Sequence, residues 1–231
     1  MLTFSGRGSA FADEQNSAYL ICDDTLILLD CPMSAFHRLR RASLMRQIRR
    51  IEIYVTHTHS DHTGGIPMMI HFAFYVLHIP VCVIAPSAEV AVGLQYLIRQ
   101  LDGCEDAAYS LRTADHFHGR VQASPVETVH VPQLPGRCFG WHLQTDRADI
   151  VYTGDTATLD PFLPLLHSGT YFYTEAAVTD SGVHLYIDRI LPDLQRLDAA
   201  GVHVYLMHLD DENAIAEKIR NTGIQLAPLM P

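Results

Sequence analysis

Three features that direct the interpretation of many sequences are absent from this 231-residue chain. No Cys-x-x-Cys pair occurs among its five cysteines, which are Cys22, Cys31, Cys82, Cys104 and Cys138. Their odd number and the absence of an N-terminal signal peptide predict a reducing, cytoplasmic environment and no disulfide framework. No Gly-x-Ser-x-Gly motif occurs either, so the sequence gives no support to a serine hydrolase.

Positive charge is also scarce. The chain has 16 Lys and Arg residues against 26 Asp and Glu residues, which gives a formal net charge of −10. Proteins that grip a polyphosphate backbone usually carry a basic stripe, so a long nucleic acid is not the expected partner. The arginines between residues 38 and 50 are typical of the solvated face of an amphipathic helix.

One stretch, residues 66–85, contains no Lys, Arg, Asp or Glu. Its length alone would allow it to cross a membrane. Pro67, Pro80, His71 and His78 interrupt it, however, and favour a buried helix over residues 65–77 followed by a strand over residues 81–85. We therefore expect no membrane association. An apolar helix of this kind can also cover a subunit contact, which makes a homodimer a further hypothesis.

The chain as a whole has the composition of a compact globular protein, with 48% hydrophobic and 18% charged residues. In each half, strands come first and then alternate with helices. This order predicts two β-sheets packed face to face with helices outside, in one domain over residues 1–231. The predicted strands are residues 2–4, 18–22, 25–29, 51–55, 81–85, 126–131, 141–144, 150–153, 170–174 and 202–207. The predicted helices are residues 34–47, 65–77, 87–101, 184–200 and 211–220, and residues 103–119 are predicted to be a loop.

The most informative segment follows the apolar strand at residues 51–55 and reads THTHSDHTGG over residues 56–65. His57 and His59, two residues apart, can point together at one metal ion, while Asp61 and His62 can reach a second ion. Zinc favours imidazole and carboxylate ligands, and two adjacent ions can clamp a hydrolytic water and the group that it attacks. The segment therefore predicts a dinuclear metal site.

Three later residues resemble that segment in their setting, because each lies at the end of an apolar strand: His130, Asp155 and His208. Side chains at strand ends collect where sites form in such sheets. The carboxylate of Asp155 can offer one oxygen to each of two ions. The predicted metal ligands are thus His57, His59, Asp61, His62, His130, Asp155 and His208. Eight other histidines are predicted to be structural or surface residues, although the spacing of His116 and His118 imitates a chelating pair.

These residues resemble those of the metallo-β-lactamase superfamily, whose fold is an α/β, four-layer αβ/βα sandwich. Within it, the chain is most similar to the ribonuclease Z-like phosphodiesterases. The resemblance spans nearly the whole chain and includes FSGRGS at residues 4–9, YTEAA at residues 173–177 and GVHL at residues 182–185. It implies that His184 faces the scissile phosphate. Thr174 departs from the pattern, since that position usually holds histidine.

The same resemblance bears on the substrate. Members of the group that process tRNA carry a flexible RNA-binding arm between the positions of His130 and Asp155. The 24 residues at positions 131–154 leave no room for such an arm. Together with the negative charge, this favours a small phosphodiester, such as a cyclic nucleotide or cyclic phosphate, over tRNA. A ribonuclease Z-type RNA endonuclease stays as an alternative.

The expected reaction is attack on phosphorus by a hydroxide that bridges two ions, with zinc as the default metal and manganese as the alternative. Asp61 would orient the hydroxide and could take its proton, while His184 would donate a hydrogen bond or a proton to the leaving oxygen. Glu175 would either orient His184 or only cap its strand. The same fold also serves hydrolysis of lactones, thioesters and other carbonyl compounds, and non-catalytic or redox modules, which are the rival interpretations.

Overall fold

The computed structural model describes residues 1–231 and contains two six-stranded β-sheets. The first sheet has the order β1 (Thr3–Gly6), β2 (Ser17–Cys22), β3 (Thr25–Leu29), β4 (Arg50–Tyr54), β5 (Val81–Ala85) and β6 (Ser110–Thr113). The second has, from its opposite edge, β7 (Gln122–Thr128), β8 (Cys138–Gln144), β9 (Asp149–Tyr152), β10 (Tyr171–Glu175), β11 (His203–Met207) and β12 (Gln225–Leu226). Each half of the chain therefore builds one sheet.

Both sheets follow the same plan of strand directions. The first three strands of each sheet are antiparallel, and from the third strand onward every neighbour is parallel. Parallel strands need crossover connections, which the helices provide. They also end at the same edge of a sheet, so the loops that follow β4, β9, β10 and β11 can meet.

Six α-helices accompany the sheets: α1 (Met33–Leu39), α2 (Ser60–Thr63), α3 (Ile66–Phe72), α4 (Ala88–Gln95), α5 (Ile187–Ala199) and α6 (Glu212–Ile219). Wider π-helical turns extend α3 over Ala73–Leu77 and α4 over Tyr96–Leu101, and short 3-10 turns lie at Ser43–Arg46, Ala114–His116 and Leu163–Leu165. None of the helices has both the length and the hydropathy that a membrane span requires.

Three apolar layers separate four layers of secondary structure. Helices α1, α3 and α4 pack on the outer face of the first sheet, where Phe36 and Ile70 belong to its core. Helices α5 and α6 cover the outer face of the second sheet. Between the sheets, the buried Trp141 donates from its indole Nε1 to the carbonyl oxygen of Val55 over 3.1 Å. The predicted four-layer αβ/βα sandwich is thus confirmed.

The prediction of a loop over residues 103–119 is wrong. These residues contain β6, which pairs in parallel with β5, and the 3-10 turn at Ala114–His116. The strand has only one large apolar residue, Leu111, so its sequence lacks the apolar pattern of a buried strand. It lies at the sheet edge and is held by backbone hydrogen bonds.

Strand β12 was not predicted, and β7 and α1 differ most from the prediction in their limits. Strand β7 covers Gln122–Thr128 rather than residues 126–131, and it includes Pro125, which an edge strand tolerates because one side needs no backbone donor. The helix predicted over residues 34–47 ends at Leu39. Ala42 is extended, and the break allows Met45 to face the core.

Candidate metal centre

The predicted site residues gather where strands of both sheets end. The THTHSDHTGG segment begins two residues after β4, and its short helix α2 carries Asp61 and His62. Asp155 lies three residues beyond β9, and His208 directly follows β11. His130 lies two residues past β7. Gly154 makes the turn before Asp155 with φ of 61°, and a Cβ atom there would lie 2.7 Å from the carbonyl oxygen of Phe139.

One group of four side chains consists of His57, His59, His130 and Asp155, whose potential ligand atoms all lie within 4.8 Å of one another. His57 Nε2 is 2.9 Å from His59 Nδ1 and 3.9 Å from Asp155 Oδ2. His130 Nε2 is 3.6 Å from the same Asp155 oxygen. Three imidazoles and one carboxylate therefore converge on one point.

A second group consists of Asp61, His62, Asp155 and His208. His62 Nε2 lies 3.3 Å from Asp61 Oδ2 and 3.3 Å from Asp155 Oδ1. His208 Nε2 lies 3.5 Å and 3.4 Å from the same two oxygens. A tetrahedral ion with ligand distances of about 2.0–2.3 Å would place its ligand atoms about 3.3–3.7 Å apart, which these separations match.

Asp155 joins the two groups, since its Oδ2 faces the first and its Oδ1 faces the second. All seven residues are buried except His59, which is half-buried. His62 Nε2 and Asp155 Oδ1 have no hydrogen-bond partner, and buried polar atoms rarely stay unpaired. Two adjacent cations coordinated from the seven side chains would satisfy both atoms, so the residues present fit a dinuclear centre.

Asp30 supports this arrangement from behind and was not predicted as a site residue. Its carboxylate accepts hydrogen bonds from the backbone N–H and the hydroxyl of Thr56, each over 2.8 Å, and lies 2.8 Å from His62 Nδ1. The Thr56 hydroxyl also lies 3.0 Å from His57 Nδ1. These contacts orient the rings of His57 and His62, because the ring nitrogen that faces away from the ligand cluster is already engaged. Asp30 follows an apolar strand, as Asp155 does, and that pattern could have revealed it.

Two other supports could not be read from the sequence. The side chain of Asn16 donates to the Tyr152 hydroxyl over 2.6 Å and accepts from the backbone N–H of His208 over 3.3 Å. His130 Nδ1 lies 2.8 Å from the carbonyl oxygen of Val183. Both His208 and Asp30 have left-handed backbones, with φ of 51° and 61°, a strained conformation that surrounding contacts must hold.

His184 and Glu175 form a pair beside the two groups. His184 Nδ1 lies 2.6 Å from Glu175 Oε2, and the His184 ring centroid is 4.8 Å from that of His130 and 5.3 Å from that of His208. The other Glu175 oxygen accepts the backbone N–H of Thr156. Glu175 is fully buried, whereas 26% of the His184 side chain is exposed. His184 is therefore held by a buried carboxylate while part of its own ring stays accessible to solvent.

The electrostatics of the site favour cation binding. Burial lowers the pKa of His57 and of His130, so both rings are neutral and offer a lone pair. Burial alone would raise the pKa of Asp155, but the charges of His208 and His62 outweigh it and hold that pKa well below its ordinary value. Burial likewise opposes ionisation of Asp61, yet the hydrogen bond with His208 and the nearby ring of His62 lower its pKa. Two buried carboxylates thus remain ionised.

The residues that were expected to stay outside the site do so. Cys31 is buried against the backbone of His62, and burial raises the pKa of its thiol, which makes it unreactive. His116 is exposed and pairs with Asp115, and His118 is exposed as well, so neither competes with His130.

Comparison with known structures identifies the fold independently. The metallo-beta-lactamase fold protein YhfI from Bacillus subtilis superposes with a TM-score of 0.77 at 16% identity, covering 99% of this chain and 95% of YhfI. A diphosphatase of the PhnP family gives 0.72 at 18% identity, covering 100% of this chain and 95% of that one. The short form of human tRNase Z gives 0.70 at 18% identity, covering 100% and 97%. The predicted resemblance to the metallo-β-lactamase superfamily is confirmed.

Sequence comparison is more specific. The anti-Pycsar protein Apyc1 of Paenibacillus xerothermodurans is 27% identical over 239 aligned positions, which cover 90% of this chain and 86% of that protein. Apyc1 of Bacillus phage 010DV004 is 25% identical, covering 91% and 89%. The family defined as anti-Pycsar protein Apyc1 matches residues 1–226. With a match over nearly its full length, this chain belongs to the anti-Pycsar protein Apyc1 family.

Proposed function

We propose that this chain hydrolyses a small phosphodiester, specifically the ring of a cyclic nucleotide. The observation that carries the proposal is its membership, over residues 1–226, of a family that degrades cyclic nucleotides. Family and fold make the chain a metal-dependent hydrolase, as the sequence predicted. The substrate, the metal and the residue roles below are our proposals, with residues 1–231 acting as one unit because both sheets contribute side chains to the site.

His57, His59 and His130 would hold one cation and Asp61, His62 and His208 a second, with Asp155 between them. Zinc suits this set of imidazoles and carboxylates, and manganese is the alternative. When bound, the two cations lower the pKa of water and offset the negative charge that builds on the phosphoryl oxygens. The chain's own contribution is to hold these ligands in place and to position the remaining reacting groups.

Asp61 is suited to orient the attacking water. Its carboxylate lies within 3.5 Å of both His62 and His208, and these rings depress its pKa. A carboxylate with a depressed pKa accepts a hydrogen bond well but is a weak base. We therefore assign Asp61 to orientation of the water rather than to storage of its proton.

His184 is placed to protonate the leaving oxygen. Burial alone would lower its pKa, but the hydrogen bond and charge of Glu175 raise the pKa to about 9, so the ring is an imidazolium at neutral pH. Its Nδ1 is engaged by Glu175, which leaves the Nε2–H to donate. As the water oxygen bonds to phosphorus and the phosphorus–oxygen ester bond breaks, the Nε2 proton passes to the departing alkoxide, and the proton that the water gives up is released to solvent. Glu175 acts by positioning His184.

The fold of the interval between His130 and Asp155 supports a small substrate. Residues 131–137 turn directly into β8, and four residues connect β8 to β9 in a tight hairpin. The interval thus consists of β8, β9 and the short turns around them. With a net charge of −10, the chain also has no surplus of cations with which to follow a polynucleotide.

The test is hydrolysis of bis-p-nitrophenyl phosphate and of a panel of purine and pyrimidine 3′,5′-cyclic nucleotides, with metal content quantified on the same sample. We expect turnover of both substrate types, about two ions per chain at the centre, and a linear nucleoside monophosphate as product. Full metal content without phosphodiester turnover would contradict the proposal. Lactones and thioesters in the same assay would then show whether the centre acts at carbon.

A further inference from the structure

A second set of metal-ligating side chains shares no residue with the centre described above. His71 on α3 meets Asp102 and Cys104, which follow the π-helical extension of α4. His71 Nε2 lies 2.9 Å from Asp102 Oδ2, and Cys104 Sγ lies 3.6 Å from that nitrogen and 3.8 Å from that oxygen. A nitrogen, an oxygen and a sulfur therefore form a compact triangle between two helical segments.

The local sequence Asp-Gly-Cys builds one side of this triangle. The backbone N–H groups of Asp102 and Cys104 close the helical turn on the carbonyl oxygens of Leu97 and Ile98. Gly103 between them has φ of 70°, a left-handed conformation that other residues rarely adopt. A Cβ atom at Gly103 would meet nothing within 4 Å, so it is this conformation, rather than crowding, that favours glycine. The turn directs both flanking side chains toward His71.

We propose that His71 Nε2, Asp102 Oδ2 and Cys104 Sγ form a separate site for one zinc-class divalent cation. The sulfur–nitrogen separation of 3.6 Å falls within the spacing of about 3.3–3.7 Å between neighbouring ligands of a tetrahedral ion, and the sulfur–oxygen separation of 3.8 Å exceeds it by about 0.1 Å. The nitrogen–oxygen separation has to widen by about half an ångström to reach that spacing. A thiolate beside an imidazole and one carboxylate selects borderline metals such as zinc over magnesium or calcium.

Burial gives the site an inner and an outer side. Cys104 is 3% exposed, whereas the side chains of His71 and Asp102 are 28% and 37% exposed. The fourth corner of a tetrahedron over this triangle therefore faces solvent, where a water molecule can fill it. On binding, the thiol proton is released to solvent and Cys104 Sγ coordinates as the thiolate.

A cation at this site would link two helical segments. Helix α3 begins directly after THTHSDHTGG, the segment that supplies four of the proposed catalytic ligands. A cation held by His71 and by the Asp102–Cys104 turn fixes α3 to the end of the α4 extension. The bound cation thus stabilises the position of α3 directly after the catalytic segment without entering the reaction.

Sulfur makes the proposal testable in isolation, because none of the seven proposed ligands of the catalytic centre contains it. The full-length protein is stripped with a chelator and titrated with Co²⁺ alone, and the absorbance is followed. We expect a sulfur-to-cobalt charge-transfer band in the wild type and its loss in Cys104→Ser. Cys82→Ala, which removes another buried cysteine, is the matched control and should keep the band.

Metal content gives a second readout that does not depend on activity. Zinc-loaded Cys104→Ser should contain one ion fewer per chain than the wild type, whatever the occupancy of the catalytic centre. His71→Ala keeps the thiol and should lose the same ion, which covers the case in which Cys104→Ser fails to fold. A wild type without the band, or a band and ion count that survive both substitutions, would overturn the site and leave the proposed hydrolase untouched.

Discussion

At the scale of single residues, His184 is the side chain on which the proposed chemistry depends most. Removing it in His184→Ala takes away the proton donor, and general-acid groups contribute about 10²–10⁴-fold to rate. Turnover of cyclic nucleotides should fall by that order while metal content stays at the wild-type level, since His184 is not among the proposed ligands. The exposed His167 is a matched control, and His167→Ala should leave both quantities unchanged. Equal turnover in His184→Ala would end the assignment.

Glu175 should control the pH at which His184 works. The pKa of His184 is raised to about 9 from an ordinary value of 6.5, so activity that needs its proton persists below that pH and is lost as the pH rises through it. In Glu175→Gln the ring loses its carboxylate partner, and the alkaline limb of the pH–rate profile should move to lower pH. Any bound cation affects the wild type and Glu175→Gln alike, so the difference between their pH–rate profiles measures the effect of the Glu175 carboxylate on His184.

The exposed Glu89, substituted as Glu89→Gln, provides the control for that profile. An alkaline limb that coincides in wild type and Glu175→Gln would mean that Glu175 only holds the backbone of Thr156. The role of Glu175 would then be structural, and another group would have to raise the pKa of His184 for the proposed proton transfer.

Asp30 should set metal affinity although it reaches no proposed ion position. It holds Thr56 and His62, and partners of this kind typically change metal affinity by about 10–100-fold. We expect Asp30→Asn to weaken zinc binding by that order in a competition with a chromophoric chelator. Asp24→Asn, at an exposed position in the preceding turn, should bind as the wild type does. Unchanged affinity in Asp30→Asn would show that the strand ends alone orient His62.

At the scale of elements, the start of α4 offers a clean test. Ser87 is its N-cap, and its hydroxyl accepts the backbone N–H of Val90 over 3.3 Å. Ser87→Ala leaves that donor unpaired and should lower the free energy of unfolding by about 0.5–2 kcal/mol, measured in urea. Ser87→Asp restores a cap and should recover most of the loss. A variant with alanine as stable as the wild type would show that packing of Val90 and Leu94 alone sets the helix start.

Elements with a strong apolar pattern could be predicted, and those without one could not. The run at residues 51–55 yielded β4 within one residue, because both of its faces are buried. Strand β6 was missed, since its stability comes from backbone pairing with β5 rather than from its own side chains. The wider π-helical turns after α3 and α4 also leave no mark in the apolar pattern.

The candidate site shows the same division. The seven proposed ligands follow from residue type and position after a strand, and the structure brings all of them together. Their supports join residues far apart in the chain, such as Asn16 and His208, and nothing local in the sequence pairs them. His71 was likewise predicted only to be a structural or surface residue, because Asp102 and Cys104 lie 31 and 33 residues away in the sequence.

At the scale of the whole molecule, exposed apolar side chains are distributed unevenly. Six of the thirteen large hydrophobic residues that are exposed lie between residues 66 and 101. Among them, Met68, Tyr75 and Val76 are 39%, 54% and 60% exposed and line a shallow cavity of about 420 Å³ beside α1. Contiguous apolar surface of this kind usually marks a site of association.

A second copy of the chain is the partner that we expect on this face, a hypothesis drawn from the apolar helix at residues 66–77. Size-exclusion chromatography with light scattering should give the mass of a dimer for the wild type. Val76→Glu places a charge in the contact and should shift the protein to the monomer mass, because desolvating an unpaired carboxylate outweighs the apolar gain. Ile21→Glu is the control, because it places the same charge on an exposed aliphatic residue outside this face. Ile21 is 46% exposed, and the variant should remain dimeric. A wild type that elutes at 25.8 kDa at all concentrations would contradict the prediction and leave the exposed face for another partner.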